Sequence, residues 1–127
     1  MSVWHGDLKK RKPTGGKKRA YRKKRKFETG SFPTETLFGE EKRKVDRVRG
    51  GNVKVRLLST EEVNLSDPKT GKTERTKILR VLENPANIDY DRRGVLTKGA
   101  IVETPLGRAK ITSRPGQDGV ANAVLLY

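Results

Sequence analysis

The chain has 127 residues, enough for one small domain, and it carries 30 Lys and Arg against 15 Asp and Glu, a formal net charge of +15. It contains no cysteine, which excludes a disulfide framework and a thiolate metal site. No segment has the length and apolarity of a membrane span, and no apolar stretch of a signal peptide follows the first charged residues. We therefore expect a soluble, cytoplasmic protein with an acidic partner.

The positive charge is concentrated at the start of the chain. Residues 1–26, the basic arm, hold twelve basic residues and one acid, a net charge of +11, whereas residues 27–127 hold 18 and 14, a net charge of +4. Because the arm has few apolar residues to bury and its like charges repel, we expect it to be disordered until it meets a polyanion. Nucleic acid is the predicted partner; a solubilising tail or a nuclear-localisation signal is the alternative.

The predicted RNA-binding residues all lie in the segment KKRKPTGGKKRAYRKKRK, residues 9–26. Its cations would bind phosphates, its two adjacent glycines would let the backbone approach them, and its tyrosine would contact a base or a partner. A simple flexible joint is the alternative for the glycines. The residues are Lys9, Lys10, Arg11, Lys12, Thr14, Gly15, Gly16, Lys17, Lys18, Arg19, Tyr21, Arg22, Lys23, Lys24, Arg25 and Lys26.

Residues 43–64 predict a first β-hairpin. A run over residues 43–49 precedes Gly50-Gly51, and apolar residues then alternate with Lys54 and Arg56, the period of a half-buried strand that continues to about Asn64. These two cations are predicted as secondary RNA contacts, with the solvent face of the strand as the alternative.

Residues 72–126 predict four more strands, at 72–82, 100–104, 108–113 and 120–126, separated by clusters of turn-forming residues. No helical periodicity separates them, so we predict an all-β fold, a small antiparallel barrel of six strands. The basic arm and linker would span residues 1–42 and the barrel residues 43–127. Arg108 and Lys110 complete the predicted secondary RNA contacts.

Motifs that imitate catalytic or ligand sites are weak. Gly71-Lys72-Thr73 matches the end of a nucleotide-binding loop, but Ser66 stands at the leading glycine position and the segment joins two strands. Asp89 and Asp91 could hold Mg²⁺, although the adjacent Arg92 favours a charge-neutralised loop. We predict no catalytic residue, cofactor, metal or small-molecule substrate.

Three stretches resemble a known family. They are RKPTGGKKRAYRKKRKFETG (residues 11–30), PTET (residues 33–36) and the closing LTKGAIVETPLGRAKITSRPGQDGVANAVLLY. They resemble the small-subunit ribosomal protein eight of archaea and eukaryotes, the "e" type, which is unrelated to the bacterial protein of that number, and the compact length resembles the archaeal form. The resemblance implies a β-barrel body bound to rRNA beside neighbouring ribosomal proteins, and no catalysis.

The hypothesis from the sequence is a structural constituent of the small ribosomal subunit that binds rRNA through its basic arm and its barrel. One alternative is a Mg²⁺-dependent ribonuclease that uses Asp89 and Asp91. Another is a nucleic-acid chaperone or DNA compactor outside the ribosome, with the same arm.

Overall fold

The structure, a computed structural model, describes residues 2–6 and 11–127. The chain divides into two compact units, an N-terminal unit, Met1–Pro33, and a body, Thr34–Tyr127. Lys9 and Lys10, which are predicted to bind RNA, lie outside the described residues.

The N-terminal unit is held by a two-stranded antiparallel sheet. Strand β1, Val3–Trp4, pairs with β2, Thr29–Gly30, and a 3₁₀ helix, Lys26–Glu28, precedes β2. Between Arg11 and Arg25 the described backbone has one isolated bridge, Arg11 to Lys17, and otherwise neither helix nor strand. Most of the described arm therefore lacks helix and strand, which agrees in part with the predicted disorder, while β1 near its start is paired with β2 just beyond its end.

The body begins with a three-stranded sheet. Strands β3, Leu37–Phe38, β4, Lys42–Arg47, and β5, Val53–Thr60, lie in the order β3-β5-β4. The β4–β5 hairpin turns through Arg49–Gly51, so the predicted first hairpin is confirmed.

A six-stranded sheet forms the rest of the body and curls into a half-barrel. Its order is β7-β6-β11-β10-β9-β8. The strands are β6, Glu62–Ser66, β7, Thr73–Lys77, β8, Arg80–Glu83, β9, Ile101–Thr104, β10, Gly107–Ile111, and β11, Asn122–Leu125. The predicted all-β class is confirmed. The six strands of the half-barrel are not the six predicted: the predicted strand 43–49 is β4 of the three-stranded sheet, and the predicted strand 53–64 is divided at Glu61 into β5 and β6, which lie in different sheets.

Two strand pairs are parallel, unlike the predicted antiparallel arrangement. β11 runs parallel to β6, and β3 runs parallel to β5. The side-chain amide of Asn64 on β6 donates to Asn122 Oδ1 on β11 at 3.0 Å. Because both pairs join strands that are distant in the sequence, the local alternation from which the strands were predicted carries no information about their direction.

The predicted strand 72–82 is divided in two by Ile78 and Leu79. The Ile78 side chain is buried, its N–H donates to the Glu61 carbonyl oxygen at 2.7 Å, and the Leu79 N–H donates to the Glu103 carbonyl oxygen at 2.8 Å. These two residues carry the chain from β7, at one edge of the six-stranded sheet, to β8, at the opposite edge.

Two short helices lie in segments predicted as connections. Helix α1, Ile88–Arg93, begins after Asn87, whose side chain accepts from the Asp89 N–H at 2.9 Å, and ends at Gly94. Helix α2, Pro115–Asp118, has its proline at the first helical position. Neither is long enough to produce a visible helical period in the sequence.

The core lies inside the curled sheet, and its polar members are hydrogen-bonded. It is built from Leu57, Val63, Leu65, Ile78, Leu96, Val102, Ile111 and four alanines. Buried Thr36 donates to the Leu57 carbonyl oxygen at 2.6 Å, and buried Asn84 donates to the Val95 carbonyl oxygen at 2.8 Å. Thr36 thereby ties the segment before β3 to β5, and Asn84 ties together two parts of the connection between β8 and β9.

Candidate RNA-binding surface

The β1–β2 pairing closes the basic segment into a loop. Trp4 pairs with Thr29, and the His5 N–H donates to the Glu28 carbonyl oxygen at 2.9 Å. The residues just before the cationic segment are thereby held against the residues just after it. The predicted RNA-binding residues between positions 11 and 26 are therefore presented from a common base.

The glycine pair lies in a tight turn of the backbone. The Gly15 N–H donates to the Lys12 carbonyl oxygen at 2.9 Å, and the Lys12 N–H donates to the Gly16 carbonyl oxygen at 2.8 Å. Gly15 has φ +85°, a left-handed conformation that costs side-chain-bearing residues free energy. The turn is so tight that Arg11 reaches the Gly15 carbonyl oxygen at 3.1 Å.

Glu28 organises the cations around it. The Arg22 guanidinium donates to the Glu28 carboxylate, and the Arg25 backbone N–H donates to the same carboxylate at 3.3 Å. The hydrogen bond from Arg22 lowers the pKa of Glu28 below its ordinary value, and the same bond raises the pKa of Arg22. Arg22 also donates to the Tyr21 hydroxyl at 3.1 Å. Arg22 is thus engaged within the unit, whereas the sequence predicts that it binds phosphate like the other cations of the segment.

The other described candidates of the arm are exposed to solvent. They are Arg11, Lys12, Thr14, Gly15, Gly16, Lys17, Lys18, Arg19, Tyr21, Lys23, Lys24, Arg25 and Lys26. Among the described residues of the N-terminal unit, Glu28 is the one acid, and it pairs with Arg22. The remaining cations produce a strongly positive potential that attracts a polyanion.

The four candidates of the body divide into two pairs. Lys54 Nζ donates to Gln117 Oε1 at 2.7 Å, and Arg56 donates to Asp46 at 3.0 Å and to the Gly116 carbonyl oxygen at 3.2 Å. These contacts hold β5 against β4 and α2. Arg108 and Lys110 instead project from the exposed face of β10. RNA contact by either pair stays a prediction.

The residues weighed for catalysis have structural surroundings. The Asp89 carboxylate forms an ion pair with Arg92 at 3.1 Å on α1, which neutralises the charge as the sequence suggests, on a helix instead of a loop. Over residues 2–6 and 11–127, no group of three or more His, Asp or Glu side chains is placed to hold a metal ion. No helix in the described part of the chain has the length and apolarity to cross a membrane.

Sequence reasoning missed the role of Glu28 and the position of Trp4. Glu28 is the only acid in residues 8–34, and a single carboxylate among so many cations is bound to attract one of them, so the signal was present. Trp4 gave no such signal, because a two-residue strand leaves no periodic pattern.

Comparison with known proteins decides the family. The sequence matches the family described as Ribosomal protein S8e over residues 5–126. The chain belongs to this family.

Curated relatives that match the chain include archaeal proteins named small ribosomal subunit protein eS8. The protein of Ignicoccus hospitalis is 57% identical over 129 residues, covering 99% of this chain and 98% of the relative. Those of Nanoarchaeum equitans and Staphylothermus marinus are 61% identical over 105 residues and 54% over 125 residues, covering 83% and 98% of each chain. Membership of the S8e family confirms the resemblance and the predicted role as a structural constituent of the ribosome, and it contradicts the ribonuclease alternative.

Proposed function

We propose that this chain is part of the small ribosomal subunit in the cytoplasm and that its basic arm binds rRNA there. The observation that carries the proposal is the cationic segment, bracketed by β1 and β2, whose described cations are exposed apart from Arg22, which forms an ion pair with Glu28. The names of the S8e relatives support the assignment to the small subunit.

The proposed binding mode assigns different roles to the arm cations. Arg22 shapes the unit through Glu28, while the exposed lysines, Lys23 and Lys24 among them, neutralise phosphates and order the irregular backbone against RNA. Phosphate contacts position a protein and carry little sequence information, so specificity comes from RNA shape. Arg108 and Lys110 extend the contact from the body, beside neighbouring ribosomal proteins.

Sedimentation of the tagged chain from an archaeal host tests the proposal. We expect the unsubstituted chain to sediment with small subunits at low and raised salt. We expect the Lys23→Gln/Lys24→Gln variant to move toward the top of the gradient at raised salt, because it starts from a lower affinity and raised salt weakens its remaining phosphate contacts below what retains the chain on the subunit.

The matched control is Lys42→Gln/Lys98→Gln, which removes the same charge from exposed positions of the body. It should sediment like the unsubstituted chain. If the unsubstituted chain is absent from small-subunit fractions at both salt concentrations, the assignment is wrong. Co-sedimentation with RNA of all sizes instead would favour the chaperone alternative.

A further inference from the structure

The N-terminal unit contains a groove of about 320 Å³, which we name the aromatic groove. Its volume is near the lower end of small-molecule sites, about 300–1,000 Å³. The side chains that matter here are Trp4, Lys18, Tyr21, Lys23, Lys24 and Glu28. All of them lie in one compact unit.

Two aromatic rings supply the apolar surface of the groove. Trp4 is 36% exposed and Tyr21 is 91% exposed. Lys24 Nζ lies 5.5 Å from the centroid of the Trp4 ring, and the Arg22 guanidinium carbon lies 5.5 Å from the centroid of the Tyr21 ring. Each ring thus has a cation nearby, and the Tyr21 ring keeps most of its surface open. Exposed rings among cations stack nucleobases, because every base has a π-face.

The charges in the groove favour a base over a bare anion. The Glu28 side chain is 13% exposed, and its carboxylate disfavours a phosphate beside it. A carboxylate also accepts hydrogen bonds from the ring and amino N–H groups of bases, and it has acceptor capacity beyond its two contacts with Arg22 and Arg25. The exposed Lys18 and Lys23 are suited to the phosphates of the same nucleotide.

We propose that the aromatic groove binds one unpaired nucleotide of the RNA, with the base stacked on Tyr21 and Trp4 and its phosphates on the lysines. The inference rests on the proposed function and specifies which part of the RNA the arm recognises. A base paired within an A-form helix cannot enter such a groove, so the site selects a bulged or looped-out nucleotide.

The test compares two RNA hairpins that differ in a single bulged 2-aminopurine, titrated with the full chain. We expect the bulged RNA to bind between about fivefold and a hundredfold more tightly, the range that stacking of one base on an aromatic ring corresponds to. The 2-aminopurine emission should be quenched. Emission from Trp4, the only tryptophan of the chain, should change at the same protein-to-RNA ratio.

Variants of the aromatic residues test whether the preference for the bulged RNA comes from the aromatic groove. Tyr21→Leu should abolish the preference for the bulged RNA, whereas Tyr21→Phe, which retains the ring, should preserve it. Phe32→Leu is the control, because Phe32 is an exposed aromatic of the same unit that does not line the groove. It should leave the preference unchanged.

Two failures are distinguishable. Equal affinity for the two hairpins, or a preference that Tyr21→Leu leaves intact, would overturn the groove while leaving RNA binding by the arm in place. Failure to bind either hairpin at low salt would overturn the proposed function together with the groove.

Discussion

At the scale of single residues, Glu28 shows how a cationic segment acquires a defined shape. Its carboxylate receives the Arg22 side chain and the Arg25 backbone N–H, and its carbonyl oxygen accepts from His5. Glu28 thus joins the chain before the cationic segment to two residues near the end of that segment. Arg22 is thereby engaged within the unit, and the other described cations project from a fixed base.

We predict that the order of the N-terminal unit depends on the ionisation of Glu28. Because Arg22 lowers the pKa of Glu28 in the folded unit, the ionised carboxylate stabilises it above the unfolded pKa of about 4.3. That contribution is lost as the pH falls through the lower, folded pKa. The emission of Trp4, measured from pH 7 to pH 2, should report a transition below about pH 4.

Glu28→Gln provides the control for this titration. The amide cannot ionise, so the variant should show at pH 7 the Trp4 emission that the unsubstituted chain reaches in acid, and its emission should not titrate there. The same acid transition in Glu28→Gln would assign the effect to another group.

The candidate residues were predictable where the signal is local. The cationic segment and the glycine bend can be read from composition and from the steric freedom of Gly15. The pairing of Arg22 with Glu28 depends on how the chain folds back over six positions. Composition carries no such information, so Arg22 was predicted to bind RNA like its neighbours. Likewise, Lys54 and Arg56 alternate with apolar residues, as cations on the solvent face of any strand do. Their hydrogen-bond partners become visible only in the packing of β5 against β4 and α2.

At the scale of elements, helix α2 packs against β5 through a close approach of backbones. Gly119, directly after the helix, has φ +74°, and a side-chain carbon there would lie 2.9 Å from the Val55 carbonyl oxygen. Gly71, in the turn between β6 and β7, has nearly the same φ, +70°, with nothing within 4 Å of such a carbon. Substitutions at the two positions therefore distinguish the cost of backbone strain, which both share, from the cost of steric contact, which applies to Gly119 alone.

We predict that Gly119→Ala lowers the free energy of unfolding more than Gly71→Ala does. Both changes place a side chain in a left-handed conformation, at a cost of about 1 kcal/mol, but the first also forces β5 and α2 apart. The difference should be about 1–3 kcal/mol in urea unfolding followed by far-ultraviolet circular dichroism. Equal losses of unfolding free energy in the two variants would mean that β5 moves away from the added methyl group without a measurable loss of stability.

Most strands were predictable because apolar and polar residues alternate and turn residues separate the runs. The break between β7 and β8 at Ile78 and Leu79 was not predictable, because two apolar residues in succession are also typical of a strand that is covered on both faces. Helix α1 has six residues, fewer than two turns, and depends on its cap at Asn87 instead of on periodicity.

At the scale of the whole molecule, charge is distributed unequally. The first 26 residues carry a net charge of +11 and the remaining 101 carry +4. In the body, cations such as Arg56, Arg80 and Arg93 are paired with carboxylates. Electrostatic attraction to RNA should therefore come chiefly from the N-terminal unit.

We predict a steep salt dependence of RNA binding that originates in the arm. If about eight cations contact phosphates, the slope of log K against log salt is about −6. Each phosphate contact contributes roughly 0.7–0.9 to the slope, so Lys23→Gln/Lys24→Gln should make it shallower by about 1.5. Lys42→Gln/Lys98→Gln should leave the slope unchanged. Filter binding at several salt concentrations measures both. A slope shallower than about −2 would show that few of the cations reach phosphates.

The order of strands in the half-barrel has a consequence for synthesis on the translating ribosome. Strand β11 is the last strand in the sequence, yet it lies between β6 and β10 in the sheet. Until residues 122–125 have been made, β6 and β10 each lack a neighbour and two halves of the sheet cannot join. The cationic segment emerges about a hundred residues earlier. A nascent chain therefore displays its charge long before its sheet can be completed, and its open strand edges need protection during that interval.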